Sequence, residues 1–217
     1  MKFFLVVFLL IGLSFCGSED DRPDIYNPTG AGPENGNNVG NNPPTLGNCN
    51  VTYPEWTTSP YVLPYPVGES YVIGLSHCGG SFHSAGGPDQ FAIDFNMSIG
   101  TIITASRDGK VVHVTESGFD GEFPNNLVVV RHFDNTYAQY MHLTKDGAIV
   151  TVGETVKQGD TLGYSGATGL AGYPHLHFVV TQDSWPYPYI SVPNTFKNTD
   201  PNPKSLLSGR AYEALPY

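Results

Sequence analysis

The segment from Pro174 to Phe178 places two imidazoles two residues apart in an apolar stretch. Alternate side chains of a β-strand point to opposite faces. A strand here would therefore bring His175 and His177 together and turn Leu176 and Phe178 toward a core. Two histidines on one face can bind a metal together, or one can bind it while the other faces water beside it. The pair is a candidate metal site.

Three further segments set a chemically active residue among apolar neighbours. Asp94 alternates with large apolar residues in a predicted strand, which is an unusual place for an acid unless a cation meets it. His142 lies in a predicted strand where it would share a face with Tyr140, and His83 lies in a glycine-rich loop before Asp94. Histidine and carboxylate ligands suit zinc, which in catalytic sites takes three protein ligands and leaves one position for water. No His-Glu-x-x-His segment occurs, so a zinc site of that helical type is excluded and the ligands would lie on strands and loops.

The order of these segments resembles the lysostaphin-like zinc metallopeptidases, which cut the peptides of peptidoglycan. The resemblance covers roughly residues 60–181 and rests on four blocks in the family's order: His83 with residues 91–95, residues 100–105 with 108–112, residues 140–143, and residues 175–178. It implies a compact domain with a substrate groove. It also implies His83, Asp94 and His177 as zinc ligands and His142 and His175 as catalytic histidines.

The first ligand departs from the family's pattern. The family's histidine commonly lies four residues before the aspartate, whereas His83 precedes Asp94 by eleven. A loop insertion at residues 85–88 would explain the difference, but His77 remains an alternative first ligand. The remaining histidines, His113 and His132, are interpreted as strand residues, with a supporting role beside the metal left open for His132.

Composition and periodicity indicate an all-β, mainly antiparallel fold. The chain of 217 residues has 25 Gly, 18 Pro and 14% charged residues, which fits a turn-rich β protein, and helical periodicity is absent over long windows. The dipeptide Asp134-Asn135 predicts a hairpin turn, and the chain after Trp185 is predicted to be irregular. The predicted strands are Ser70–Ile73, Phe91–Phe95, Thr101–Thr104, Lys110–Thr115, Leu127–His132, Thr136–Leu143, Thr161–Ser165 and His175–Thr181.

The net charge and the cysteine content limit which binding partners and which cellular compartment are expected. Twenty acidic and ten basic residues give a net charge of −10, which argues against nucleic acid and against a basic patch on anionic lipid. Cys49 and Cys78 are a pair that could bridge in an oxidising compartment, and the sequence leaves open whether they do. An extracytoplasmic enzyme is expected.

The N-terminus predicts export and an anchor. Residues 1–15 form a short apolar run after Lys2, typical of a secretory signal, and Cys16 follows in a sequence resembling a lipoprotein cleavage box. Lipidated Cys16 would attach the chain to an outer membrane or cell surface. The acidic run at residues 19–21 resembles signals that sort some lipoproteins to the outer surface, and a solvated charge cluster is an equally good interpretation of it. Residues 16–48, rich in Gly, Asn and Pro, predict a disordered tether before a domain at 49–217. Ordinary secretion is the alternative.

Three functions are compatible with these features. The first is a zinc endopeptidase acting on peptidoglycan peptides, with the bond that it cleaves left open between glycine bridges and D-amino-acid cross-links. The second is a catalytically inactive relative that binds cell wall or activates a partner hydrolase. The third is a carrier module, because residues 152–163 resemble biotinyl- and lipoyl-type hairpins; Lys157 lacks the flanking residues of a modified lysine.

Overall fold

The computed structural model describes residues 49–217. The predicted signal segment, Cys16 and the predicted tether lie outside the described residues. Within residues 49–217, no helix has the length and apolar character needed to cross a membrane. One 3₁₀ turn, Trp56–Thr58, precedes twelve strands: β1 Ser70–Val72, β2 Ala92–Asn96, β3 Ile102–Thr104, β4 Gly109–Thr115, β5 Leu127–Arg131, β6 Thr136–Met141, β7 Leu143–Ala148, β8 Thr155–Val156, β9 Thr161–Ser165, β10 His175–Gln182, β11 Ile190–Ser191 and β12 Ala211–Glu213.

The main sheet has seven strands and is antiparallel at every pairing. Its order is β11-β10-β6-β5-β4-β8, and β2 adds to it by pairing with β10. The β10 strand spans eight residues and pairs with three other strands. In this register His177 lies opposite Asp94 on β2 and opposite Met141 on β6. The longest strand of the sheet thus carries the paired histidines.

Two smaller antiparallel sheets complete the described chain. One has the order β3-β9-β7, and the other pairs β1 with β12. Leu176 and Phe178 of β10 are fully buried in a cluster that also receives Ile103 of β3 and Leu162 of β9. The predicted all-β, antiparallel class is confirmed, and so is the inward orientation of Leu176 and Phe178.

The predicted strand Thr136–Leu143 ends earlier in the structure, so its predicted C-terminal boundary is wrong. The chain leaves β6 after Met141, His142 has a left-handed backbone with φ of 66°, and Leu143 begins β7 in the other sheet. Tyr140 is fully buried, and its hydroxyl accepts a hydrogen bond from the Ser106 N–H at 2.7 Å. His142 therefore does not share a strand face with Tyr140, and its direction is set by the turn between two sheets.

Three smaller expectations can be compared with the structure. The Asp134-Asn135 hairpin is confirmed, since β5 and β6 pair antiparallel around it, but His132 follows β5 instead of belonging to it. The irregular chain predicted after residue 185 is wrong in two places, because β11 pairs with β10 and β12 pairs with β1. Cys49 and Cys78 form a disulfide, which the sequence left open.

Candidate metal centre

The centre of the site is built by two neighbouring strands. His175 and His177 occupy alternate positions on β10, and Asp94 lies on β2 directly opposite His177. Since Leu176 and Phe178 fill the core on one face, both histidines lie on the other face of β10 with Asp94. All three polar side chains are buried, with at most 7% exposure. Strand alternation and sheet register are enough to place this part of the site.

His83 reaches the same place from the loop before β2. Its N–H donates to the Gly80 carbonyl at 2.9 Å, closing a turn that directs the ring inward. His83 Nε2 lies 3.4 Å from Asp94 Oδ1 and 3.4 Å from His177 Nδ1, and the last two atoms are 3.0 Å apart. Zinc bonds of about 2.0–2.1 Å to ligands at tetrahedral corners require a separation of about 3.3 Å between ligand atoms. The chemistry and the spacing of these three donors fit zinc.

His77 lies outside this group. Its Nδ1 is 3.3 Å from the Tyr53 hydroxyl, its Nε2 is 3.4 Å from Ser205 Oγ, and its ring stacks on Tyr53. Both ring nitrogens thus have hydroxyl partners within the loop packing. Of the two histidines considered for the first ligand, the structure brings His83, and not His77, to Asp94 and His177.

His142 and His175 lie beside the three donors. The ring centroids of His142 and His175 are 4.7 Å apart, and nitrogens of His142, His175 and His177 lie within 4.8 Å of one another. His142 Nδ1 donates to the Thr168 carbonyl at 2.7 Å, and His175 Nδ1 donates to the Tyr173 carbonyl at 2.8 Å. A carbonyl only accepts, so each neutral ring keeps its lone pair at Nε2. Both rings are therefore oriented to accept a proton at that atom.

Electrostatics differ among these side chains. Burial raises the pKa of Asp94, but hydrogen bonds from His177 and His83 outweigh it and hold that pKa well below its usual range. Burial lowers the pKa of His177, but the Asp89 and Asp94 carboxylates raise it to about 10. Burial and the neighbouring His177 and His175 lower the pKa of His142 to about 3. The site thus keeps a carboxylate ionised in a buried place, which favours a bound cation.

The other two histidines lie in different surroundings. His113 stacks on Trp185 with ring centroids 4.4 Å apart, and its Nε2 is 2.8 Å from Thr115 Oγ1. His132 Nδ1 donates to the Asp108 carbonyl at 2.8 Å. Neither is among the groups of described residues whose ligand atoms converge. The sequence left open whether His132 supports the metal site, but its ring makes no hydrogen bond to the site residues.

Sequence reasoning does not find Asp89 and Tyr189. Asp89 Oδ1 lies 3.4 Å from His177 Nε2, and the Tyr189 hydroxyl donates to the same oxygen. The available signal was an acid five residues before Asp94 in a loop otherwise rich in glycine. The loop at residues 165–169 also contacts the site, because the Thr168 carbonyl accepts the hydrogen bond from His142.

The comparisons with known proteins match part of the chain to one peptidase family. Residues 89–188, just under half of the chain, match the model of Peptidase family M23. The matched range includes Asp94, His142, His175 and His177, while His83 precedes it.

Peptidoglycan endopeptidases are among its relatives. The chain is 40% identical over 93 residues to the glycyl-glycine endopeptidase ALE-1 of Staphylococcus capitis, covering 42% of this chain and 24% of that protein. It is 40% identical over 90 residues to lysostaphin of Staphylococcus simulans, covering 41% and 17%. It is 39% identical over 85 residues to the peptidoglycan DD-endopeptidase ShyC of Vibrio cholerae, covering 39% and 18%. The chain thus spans a quarter or less of the length of these relatives.

Solved structures give matches of the same kind. Lysostaphin from Staphylococcus simulans aligns with a TM-score of 0.44 and 31% identity, over 53% of this chain and 44% of that one. The M23 metalloprotease pseudoalterin aligns with a TM-score of 0.49 and 21% identity, over 72% and 96%.

Proposed function

We propose that this protein is a zinc-dependent endopeptidase that hydrolyses peptide bonds of bacterial peptidoglycan. The observation that carries the proposal is the convergence of His83 Nε2, Asp94 Oδ1 and His177 Nδ1 at 3.0–3.4 Å beside two further buried histidines. The substrate class rests on relatives named as glycyl-glycine and peptidoglycan DD-endopeptidases.

His83, Asp94 and His177 are proposed as the zinc ligands. Each offers one buried donor atom, and together they carry one negative charge when both imidazoles are neutral. When bound, zinc supplies a Lewis acid that polarises a substrate carbonyl and makes water reactive near neutral pH. The second nitrogens of both histidines are held as well, His83 Nδ1 by the Ser76 carbonyl at 3.3 Å and His177 Nε2 by Asp89. Such outer contacts orient metal-bound histidines in general.

His142 and His175 are proposed as the residues that move protons. Each ring is fixed by a carbonyl at Nδ1, so Nε2 is the atom that accepts a proton from the attacking water and returns it to the leaving amine. The protonated ring also donates a hydrogen bond to the oxygen on which negative charge develops. Proton transfer of this kind contributes roughly 10²–10⁴-fold to the rate.

The inactive relative is the second hypothesis. A regulator that has lost catalysis usually lacks ligands, whereas all five residues implied by the family are present here. Four of the five lie within the M23 match, and the fifth, His83, lies 3.4 Å from Asp94. The filled site favours the enzyme.

One experiment tests the proposed function. The purified protein would be analysed for metal content and then incubated with isolated peptidoglycan containing either glycine bridges or direct D-amino-acid cross-links, with the released fragments identified by mass spectrometry. We expect close to one zinc per chain and fragments cut in the peptide portion. Failure to take up zinc would exclude the metallopeptidase, and zinc binding without cleavage of either wall would favour the regulator.

Export and anchoring are part of the same proposal. Peptidoglycan lies outside the cytoplasm, and the Cys49–Cys78 disulfide is of the kind that persists in oxidising compartments. The proposed lipid anchor is Cys16, which would hold the enzyme at a membrane or cell surface by acyl chains. Cys16→Ala should move the protein from the membrane fraction to the soluble fraction, and unchanged partitioning would contradict the anchor.

A further inference from the structure

His177 lies between two carboxylates. Its Nδ1 is 3.0 Å from Asp94 Oδ1, and its Nε2 is 3.4 Å from Asp89 Oδ1 on the opposite side of the ring. Asp94 contributes to the group of converging donors, whereas Asp89 contacts His177 only through the nitrogen that faces away from that group. The two carboxylates therefore contact different nitrogens of the same imidazole, Asp94 on the side of the converging donors and Asp89 on the other side.

Asp89 is itself held by Tyr189. The Tyr189 hydroxyl donates to the same Oδ1 atom that meets His177, and the tyrosine ring is 8% exposed. One oxygen of Asp89 thus meets two buried side chains, the His177 imidazole and the Tyr189 hydroxyl. An ionised carboxylate accepts hydrogen bonds and donates none.

The backbone fixes Tyr189 near the site. Tyr189 immediately precedes β11, where Ser191 pairs with Thr181 of β10. Ser191 Oγ accepts a hydrogen bond from the Phe91 N–H at 3.3 Å, two residues from Asp89. The segment after Trp185, which the sequence predicts to be irregular, thus connects the strand carrying His177 to the loop carrying Asp89.

We propose that Asp89, held in place by Tyr189, is a positioning residue for the metal ligand His177. A histidine that presents Nδ1 to a metal carries its proton on Nε2, and Asp89 accepts that proton's hydrogen bond. This contact fixes both the tautomer and the plane of the ring. His83 has only a neutral carbonyl in the equivalent place, so the charged contact is specific to His177. The inference rests on the proposed zinc function.

The test uses two variants that keep the shape of the side chain and one that truncates it. Asp89→Asn removes the charge, Asp89→Ala removes the acceptor, and Tyr189→Phe removes the hydroxyl. Matched controls are Asp146→Asn, an exposed carboxylate beside Lys145, and Tyr187→Phe, whose ring is 72% exposed. Zinc affinity would be measured by competition with a chelator, and the geometry of the site by the visible spectrum of the cobalt-substituted protein.

We expect zinc affinity to fall about 10–100-fold in both Asp89 variants and by less in Tyr189→Phe, with a changed cobalt spectrum in each and no change in the controls. The melting temperature of the metal-free proteins separates positioning from folding. Variants that melt earlier but bind zinc with unchanged affinity and an unchanged cobalt spectrum would overturn the proposal. A wild-type protein that binds no zinc would instead overturn the proposed function.

Discussion

The described residues include two groups of buried histidines, and only one group has ligand atoms that converge as a metal site requires. His77 and His132 are each 2% exposed, as buried as the members of the cluster formed by His83, His142, His175 and His177. The ring nitrogens of His77 lie beside hydroxyls, and His132 Nδ1 donates to a backbone carbonyl. In the cluster, by contrast, one ring nitrogen each of His83, His175 and His177 lies 3.0–3.6 Å from Asp94 Oδ1.

The difference shows that burial of a histidine does not by itself indicate function. Burial lowers the pKa of His77 to about 3 and that of His132 to about 4, so both remain neutral packing residues. At His177 burial acts in the same direction, but two carboxylates reverse it. Convergence on an ionised acid separates a ligand set from satisfied core histidines.

Removing the shared carboxylate should give the largest effect. Asp94→Ala and His177→Ala each delete one of three proposed ligands, so we expect loss of measurable zinc binding and of peptidoglycan hydrolysis. Metal content and fragment release would be measured on the same preparations, with near-ultraviolet circular dichroism confirming the fold. Full zinc occupancy in either variant would show that the ligand set is assigned incorrectly.

Changing the proton-transfer residues should separate catalysis from metal binding. His142→Asn and His175→Gln should retain zinc yet reduce kcat roughly 10²–10⁴-fold, because they remove acid–base groups and leave the ligands in place. Asparagine is chosen at position 142 because it tolerates a left-handed backbone. The double variant should be little worse than the worse single one, since the two groups act as a unit. Loss of zinc from either variant would show that the substituted histidine is a zinc ligand and not only a proton-transfer residue.

The two candidates for the first ligand should differ sharply. His83→Ala should lose zinc, whereas His77→Ala should keep it and instead lower the free energy of unfolding by about 1–3 kcal/mol, because it removes packing against Tyr53 and Phe91. Chelator competition and urea unfolding of the metal-free proteins measure the two effects. The reverse pattern of zinc loss would move the ligand to His77.

The smallest effect concerns pH and His132. Its pKa is about 4 in the folded protein and near 6.5 when unfolded, so the unfolded chain binds the extra proton between these values. Stability is therefore lost as pH falls from about 6.5 toward 4, with a slope of up to about 1.4 kcal/mol per pH unit from this residue. Urea unfolding of metal-free wild type and His132→Gln across this range should show a shallower slope in the variant. Parallel slopes would contradict the assignment.

Local patterns predict the centre of the site but not its surroundings. Strand alternation at residues 175–178 and the acid at position 94 are visible in the sequence because each depends on a period of two. The contacts of Asp89 and Tyr189 join residues one hundred positions apart through the pairing of β10 and β11, and no local pattern encodes such a pairing. Antiparallel class and most strands followed from composition and alternation, whereas the exchange between sheets at His142 depends on one backbone angle.

That angle places opposing demands on position 142. A side chain bearing Cβ pays about 1–3 kcal/mol to occupy a left-handed conformation, while glycine occupies it freely and asparagine at lower cost. His142, with φ of 66°, thus carries a conformational penalty at the junction of two sheets. Selection for stability alone would replace it with glycine, whereas selection for turnover would retain the imidazole. In a directed-evolution experiment on this chain, the substitution that appears at residue 142 would therefore report which of the two properties was under selection.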